Sequence, residues 1–202
     1  MMQAILTGDI ISSRKVDSEI WLNSLKTLFG QYGVQPKDWE IYRGDSFQIK
    51  TEPAFALKLA YIIKANVKKL SKLDARIGIG IGDINYQSDK LSESNGNAFI
   101  FAGESFDNLK TNNLAIKTTW PQFDLTINTM LEIFALTADG WTSTSAGMIL
   151  KALQHPGLNQ QQLAAALNKK SQSAISAGLK RGGYDGLLKL LNYYQQQLQN
   201  LC

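Results

Sequence analysis

Two short segments carry the side chains best suited to chemistry. The first, Thr7-Gly8-Asp9-Ile10-Ile11-Ser12-Ser13-Arg14-Lys15, ends an apolar run on a carboxylate and follows it with two hydroxyls and two cations. Backbone N–H groups left free at such a turn cradle an anion, so Ser12, Ser13 and Arg14, with Lys15 adding charge, are candidate phosphate contacts. The second, Arg43-Gly44-Asp45-Ser46-Phe47, sets Asp45 in a glycine-bearing turn with Arg43 beside it as a further phosphate contact. Two carboxylates held a few ångströms apart repel each other. A divalent cation relieves that repulsion and bridges to phosphate oxygens, which makes Asp9 and Asp45 candidate metal ligands. Each acid alone has an ordinary structural use, at a strand end or in a Gly-Asp turn.

Composition narrows the metal. The chain has one cysteine, Cys202, and one histidine, His155, so neither an intramolecular disulfide nor a thiolate cluster can form. His155 precedes Pro156 in what reads as an interhelical loop, where a solvated role is the ordinary one. Oxygen ligands then favour magnesium, manganese or calcium over zinc. The first residues lack a secretory pattern and no run approaches eighteen apolar residues, so a cytoplasmic protein with no membrane partner is expected. The formal charge is +4. From residue 157 onward Lys169, Lys170, Lys180, Arg181 and Lys189 face one acid, Asp185, a balance that suits either a polyanion or a solvated basic surface.

The elements that must position these residues can be read from periodicity. Residues 3–11 form a strand that breaks at Ser12-Ser13. Asp17 or Ser18 caps a helix running to about Gly33, with Ile20, Leu22, Leu25, Leu28 and Phe29 inward. Trp39-Glu40-Ile41-Tyr42 and Phe47-Gln48-Ile49-Lys50 alternate around Gly44-Asp45 as a hairpin. Pro53 opens a helix to about Lys72 that buries Phe55, Leu59, Ile62, Ile63 and Val67. Ala75 to Gly82 alternates as a strand, its isoleucines toward the helices and its glycines leaving a smooth opposite face for a ligand or a second copy. The glycines are not a dinucleotide loop, because they alternate within a strand. After a polar loop over residues 84–95, a helix from Ala98 to Lys110 and a strand over residues 114–117 follow.

The sum is α+β. A ferredoxin-like βαββαβ sheet domain, residues 1–119, precedes an all-α domain, residues 120–202, with the boundary at Trp120-Pro121. Right-handed crossovers make the first and third strands antiparallel neighbours, which brings Asp9 and Asp45 together from distant parts of the chain.

In the second domain, residues 158–181 look like a helix-turn-helix. Leu163, Leu167, Ile175 and Leu179 would be core. Ser171, Gln172, Ser173, Ser176 and Lys180 would face a DNA groove, with Lys169, Lys170 and Arg181 as further DNA contacts; short polar groups followed by cations suit base edges and phosphates. The turn at Asn168-Lys169-Lys170 is a residue longer than usual and lacks the usual glycine; a helical packing module without DNA is the plainer alternative. The leucines of the last helix are expected to pack.

Thr7-Gly8-Asp9-Ile10 through Ser13-Arg14, Arg43-Gly44-Asp45-Ser46-Phe47-Gln48 and Ala75-Arg76-Ile77-Gly78-Ile79-Gly80 resemble the SatD family of bacterial proteins. That family is in turn similar to the catalytic domain of class III nucleotide cyclases. The cyclase-like resemblance covers about residues 3–118; the SatD resemblance covers nearly the whole chain. It implies a magnesium or manganese site on Asp9 and Asp45, with the backbone of Ile10 as a further ligand, and a homodimer. It also departs from the cyclases. If Gly96 matches their helix-leading glycine, Ile100 and Glu104 stand where they carry an asparagine and an arginine. Isoleucine offers no hydrogen bond and glutamate repels phosphate. The expected function is therefore regulatory or stress-related: a degenerate cyclase-like domain binding a metal–nucleotide ligand, and a tail binding DNA. A two-metal nucleotidyl cyclase or nucleotide-cleaving enzyme, and a non-catalytic adaptor that binds other proteins, are the alternatives.

Overall fold

The computed structural model describes residues 2–168 and 171–201. The fold is α+β, a five-stranded mixed sheet with eight α-helices among the described residues. In chain order these are β1 (Met2–Ile11), α1 (Ser18–Phe29), β2 (Trp39–Tyr42), β3 (Ser46–Thr51), α2 (Pro53–Lys68), β4 (Asp74–Asp83), α3 (Asn97–Asp107) and β5 (Leu114–Lys117). There follow α4 (Pro121–Ala138), α5 (Ser143–Gln154), α6 (Gln160–Ala166), α7 (Gln172–Arg181) and α8 (Tyr184–Gln199). Among the described residues no helix is long and apolar enough to cross a membrane.

The sheet runs β2-β3-β1-β4-β5, with β5 parallel to β4 and the other pairs antiparallel. β1 is central, flanked by β3 and β4, so its C-terminal tip meets two neighbours at once. Asp9 pairs with Ser46 on one side and with Arg76 on the other. Asp45 precedes Ser46 in the β2–β3 turn, where Arg43 and Gly44 both take positive φ, and its carbonyl accepts from the Ile10 N–H at 3.2 Å. The juxtaposition expected of Asp9 and Asp45 is present.

Two expectations, one about α1 and one about β4, need correction. α1 ends at Phe29, four residues short of Gly33, and Ile20 is half exposed while Trp21 is buried in its place. Trp21, Leu25, Leu28 and Phe29 make the inward stripe at i, i+4, i+7 and i+8, and Ile20 falls outside that arc. The second correction concerns the glycines of β4. Their face is covered by α3. A Cβ on Gly80 would stand 2.1 Å from the Ala102 nitrogen, and one on Gly78 would stand 2.4 Å from the Phe106 nitrogen. Helix backbone thus lies directly on strand backbone, a contact only glycine permits. The face expected to receive a second copy is closed.

α2 explains why sheet and helices hold together. Its apolar residues lie all around the cylinder, and Ala56, Leu57, Leu59, Ala60, Tyr61, Ile62, Ile63, Ala65 and Val67 are all buried. A helix apolar on every side is an interior helix. Here β1 and β4 take one side, and α5 and α8 take another. One hydrophobic core runs unbroken from Ala4 in β1 to Leu198 in α8. Two lysines on α2 seal the seam: Lys64 reaches Asp74 at 2.8 Å and Asp139 at 2.7 Å, while Lys68 reaches Asp74 at 2.9 Å and the Asp139 carbonyl at 2.7 Å. Trp141 donates its indole N–H to the Gly182 carbonyl at 2.9 Å, tying the α4–α5 turn to the end of α7.

Beyond Pro121, which opens α4 as its first residue, the described residues hold no strand. α6 begins with a capping box, Asn159 and Gln162 each satisfying the other's backbone N–H. It ends on Asn168 at φ 51°, so asparagine fills the left-handed position that glycine usually takes. Ser171 caps α7 by accepting from the Ala174 N–H at 3.3 Å. Leu163, Ile175 and Leu179 are buried and Leu167 is half-buried, as expected of a helical core. Leu187, Leu190, Leu191 and Leu198 of α8 are buried too, so that helix packs.

Candidate functional site

The tips of β1 and the β2–β3 turn, with the 3-10 turn Ser13–Lys15, border an open cleft of about 380 Å3. It is lined by Asp9, Ile10, Ile11, Ser12, Ser13, Arg14, Lys15, Asp45 and Arg76. Ser12, at φ 63° and ψ 27°, reverses the chain out of β1 and lets the segment fold back over the strand tip. Lys15 donates its N–H to the Ser12 carbonyl at 2.8 Å, so one of the turn's N–H groups is spent internally. Ser13 donates its hydroxyl to Oδ2 of Asp45 at 2.7 Å, which fixes that carboxylate against the turn. Arg14 and Lys15 are exposed at the rim.

Sequence reasoning missed Arg76. It lies opposite Asp9 across the β1–β4 ladder, and its Nε donates to Oδ1 of Asp9 at 3.0 Å while Nη2 engages Oδ2. This two-pronged hold matches the planar fork of guanidinium to a carboxylate. The hydrogen bond to Asp9 raises the Arg76 pKa; burial opposes it, and the charges of Asp9 and Asp45 reinforce it. The guanidinium also sits 5.4 Å over the Phe106 ring of α3. The available signal was register: an antiparallel β1–β4 pairing sets an arginine against an aspartate as a cross-strand pair.

The structure brings Asp9, Ile10, Ser12, Ser13, Arg14 and Asp45 together in one cleft and leaves Arg43 out. Arg43 sits exposed on the hairpin turn, outside the lining, because the left-handed backbone at Arg43 and Gly44 turns the chain away there. The side chain of Ile10 is buried in the core. A magnesium or manganese ion does not fit the cleft as folded. Both oxygens of Asp9 are held by Arg76, one oxygen of Asp45 by Ser13, and among the described residues no group of three or more His, Cys, Asp or Glu could hold a metal.

Ile100 and Glu104 lie apart from the cleft. Ile100 is half exposed, and Glu104 is paired with Lys117 on β5, whose ammonium also lies 5.9 Å over the Phe101 ring.

On α7, Ser171, Gln172, Ser173, Ser176, Lys180 and Arg181 are all exposed. Lys169 and Lys170 lie outside the described residues. The exposed side chains divide between two stripes. Gln172, Ser176 and Lys180 border a polar groove of about 980 Å3 that is closed on other sides by His155, Asn159, Gln160, Tyr184 and Asp185. Ser173 and Arg181 do not line that groove.

Compared with protein-family models the chain matches none, and no curated protein matches it.

Proposed function

We propose that this chain is a SatD-like regulatory protein whose front cleft binds a phosphate-bearing, nucleotide-type ligand and whose α6–α7 unit binds DNA. The observation that carries the first half is the convergence of Ser12, Ser13, Arg14, Lys15 and Arg76 on one cleft with Asp9 and Asp45. Three cations outnumber two carboxylates there, so the cleft has a net attraction for an anion. The strand order β4-β1-β3-β2 within the sheet supports the ferredoxin-like, cyclase-like reading of residues 1–119. Magnesium or manganese drops out of the proposal, because Arg76 holds the first carboxylate. So does dimerisation over the β4 glycines, because α3 covers them.

The DNA half is supported by the exposed polar and cationic side chains of α7 and by the capped helix pair that presents them. Short polar groups near a helix start reach base edges, and cations toward its end reach phosphates. The cyclase alternative is disfavoured by the resemblance itself: aligned on Gly96, it puts Glu104, here engaged with Lys117, where the cyclases carry an arginine.

A thermal-shift screen of nucleotides tests the front cleft, since a ligand that binds only the folded state must raise the melting temperature. Absence of any shift with mono-, di- or triphosphates sinks that half. Fluorescence anisotropy on mixed genomic fragments at low salt tests the tail. Lys180→Ala is expected to weaken binding across all sequences and to lower the slope of log K against log salt by about one. No binding at low salt removes the DNA half.

A further inference from the structure

We infer that Arg76 stands in for the divalent ion in the front cleft, and that the ligand is a singly phosphorylated molecule held directly by Arg76, Arg14 and Lys15 without metal. This rests on the reading of the cleft as a phosphate site. Its observation is the disagreement already described: the carboxylate that a metal would need is closed by a guanidinium on the neighbouring strand.

An arginine in that position does what the ion would do for the fold. It neutralises Asp9, relieves the repulsion between Asp9 and Asp45, and remains able to bind. Guanidinium carries five N–H donors. Asp9 takes one from Nε and one from Nη2, which leaves three for an anion in the same cleft. Arg14 and Lys15 line that cleft and add two charges from the adjacent turn. The lining then carries three positive and two negative side chains, a small positive excess. That excess comes nearer to a phosphate monoester, at about −1.5 to −2, than to a more highly charged ligand. It does not match a triphosphate, whose larger charge a bound divalent ion would normally offset. A volume of about 380 Å3 also lies near the small end of ligand pockets.

Removing a carboxylate separates the two chemistries by sign. With a metal bridge, Asp45→Asn removes a ligand and weakens phosphate binding. With direct capture by Arg76, the same change removes a repulsive charge and strengthens it, while asparagine still accepts from Ser13. The experiment is isothermal titration of the full chain with inorganic phosphate and with adenosine monophosphate, in EDTA and again in magnesium.

The expected result is binding that EDTA leaves unchanged, that Arg76→Gln weakens roughly tenfold or more, and that Asp45→Asn tightens by a few fold. Arg76→Lys, which keeps the charge and loses the fork, should fall between wild type and Arg76→Gln. Circular dichroism checks that each variant is folded. Phosphate binding that appears only with magnesium, or that Asp45→Asn abolishes, overturns the inference and leaves the cleft a phosphate site. Absence of binding for wild type in both buffers overturns the phosphate reading itself, and the inference with it.

Discussion

The covered glycine face of β4 gives a substitution whose sign depends entirely on where α3 sits. In Gly80→Ala the new methyl would lie 2.1 Å from the Ala102 nitrogen and 2.2 Å from the Ala98 carbonyl oxygen. Both partners are backbone atoms of one helix, so no side chain can swing aside. Ordinary contact needs α3 to retreat by about 1 Å, which opens gaps along the rest of its seat on the sheet. Overpacking of this kind costs about 1–3 kcal/mol, and two backbone clashes put Gly80→Ala at the upper end. The stiffer unfolded chain returns about 0.4–1 kcal/mol, which leaves a loss of about 2 kcal/mol. For a chain of this size that lowers the melting temperature by about 4–8 °C.

The internal control is Gly103→Ala, on α3 itself. A methyl there meets nothing within 4 Å, so removing a mid-helix glycine should stabilise by about 0.5–1 kcal/mol. Urea melts of wild type and both variants, followed by circular dichroism, give the two signs. If Gly80→Ala is neutral or stabilising, α3 does not lie on β4 and the closed face is wrong.

Three more outcomes follow from the same geometry. Asp74→Asn strips Lys64 and Lys68 of their shared carboxylate, and with Asp139 still present the loss should be about 2 kcal/mol in a urea melt. Trp141→Phe leaves the Gly182 carbonyl without its donor in a buried site, which should cost about 2 kcal/mol; an unchanged midpoint would mean that water replaces the indole. Asp38 is subject to burial, which pushes its carboxyl up. The Val34 N–H and the Lys50 ammonium outweigh that and hold its pKa below the usual range. A depressed folded pKa contributes stability above the unfolded value near about 4 and loses it as pH falls through the folded one. Asp38→Asn should therefore cost about 0.5 kcal/mol at pH 7 and nothing at the acid end; an equal cost at both ends would refute that origin.

What the sequence made legible follows physical rules of different reach. Strand alternation and hairpin chemistry fix local register, so β1 and the β2–β3 turn could be read in advance, and the handedness of the crossover then set β1 beside β3 and Asp9 beside Asp45. The role of Arg76 was not legible by itself. Its partner is decided by the β1–β4 pairing, a long-range choice that the apolar pattern of β4 does not encode. The same gap explains the glycines. Gly78, Gly80 and Gly82 announced a close approach, and nothing in their spacing says whether ligand, second copy or helix makes it. Ile20 misled because a helical stripe tolerates two neighbouring phases, and the larger Trp21 set the one adopted. Asn159, Asn168 and Ser171 cap α6 and α7 within a few residues, a local signal that the sequence reading of residues 158–181 did not use.

The position of α2 also bears on how the protein can be taken apart. Tyr61 stacks edge-on to Phe134 at 5.5 Å, and the Tyr194 hydroxyl reaches the Pro53 carbonyl at 2.6 Å. Cutting the chain near residue 120 would bare an oily flank of that helix in one fragment and leave its partners gaping in the other. Neither piece would stay dispersed alone. Evolution cannot then trade the tail for another without first reupholstering α2, and heat should melt both ends of the molecule in a single step.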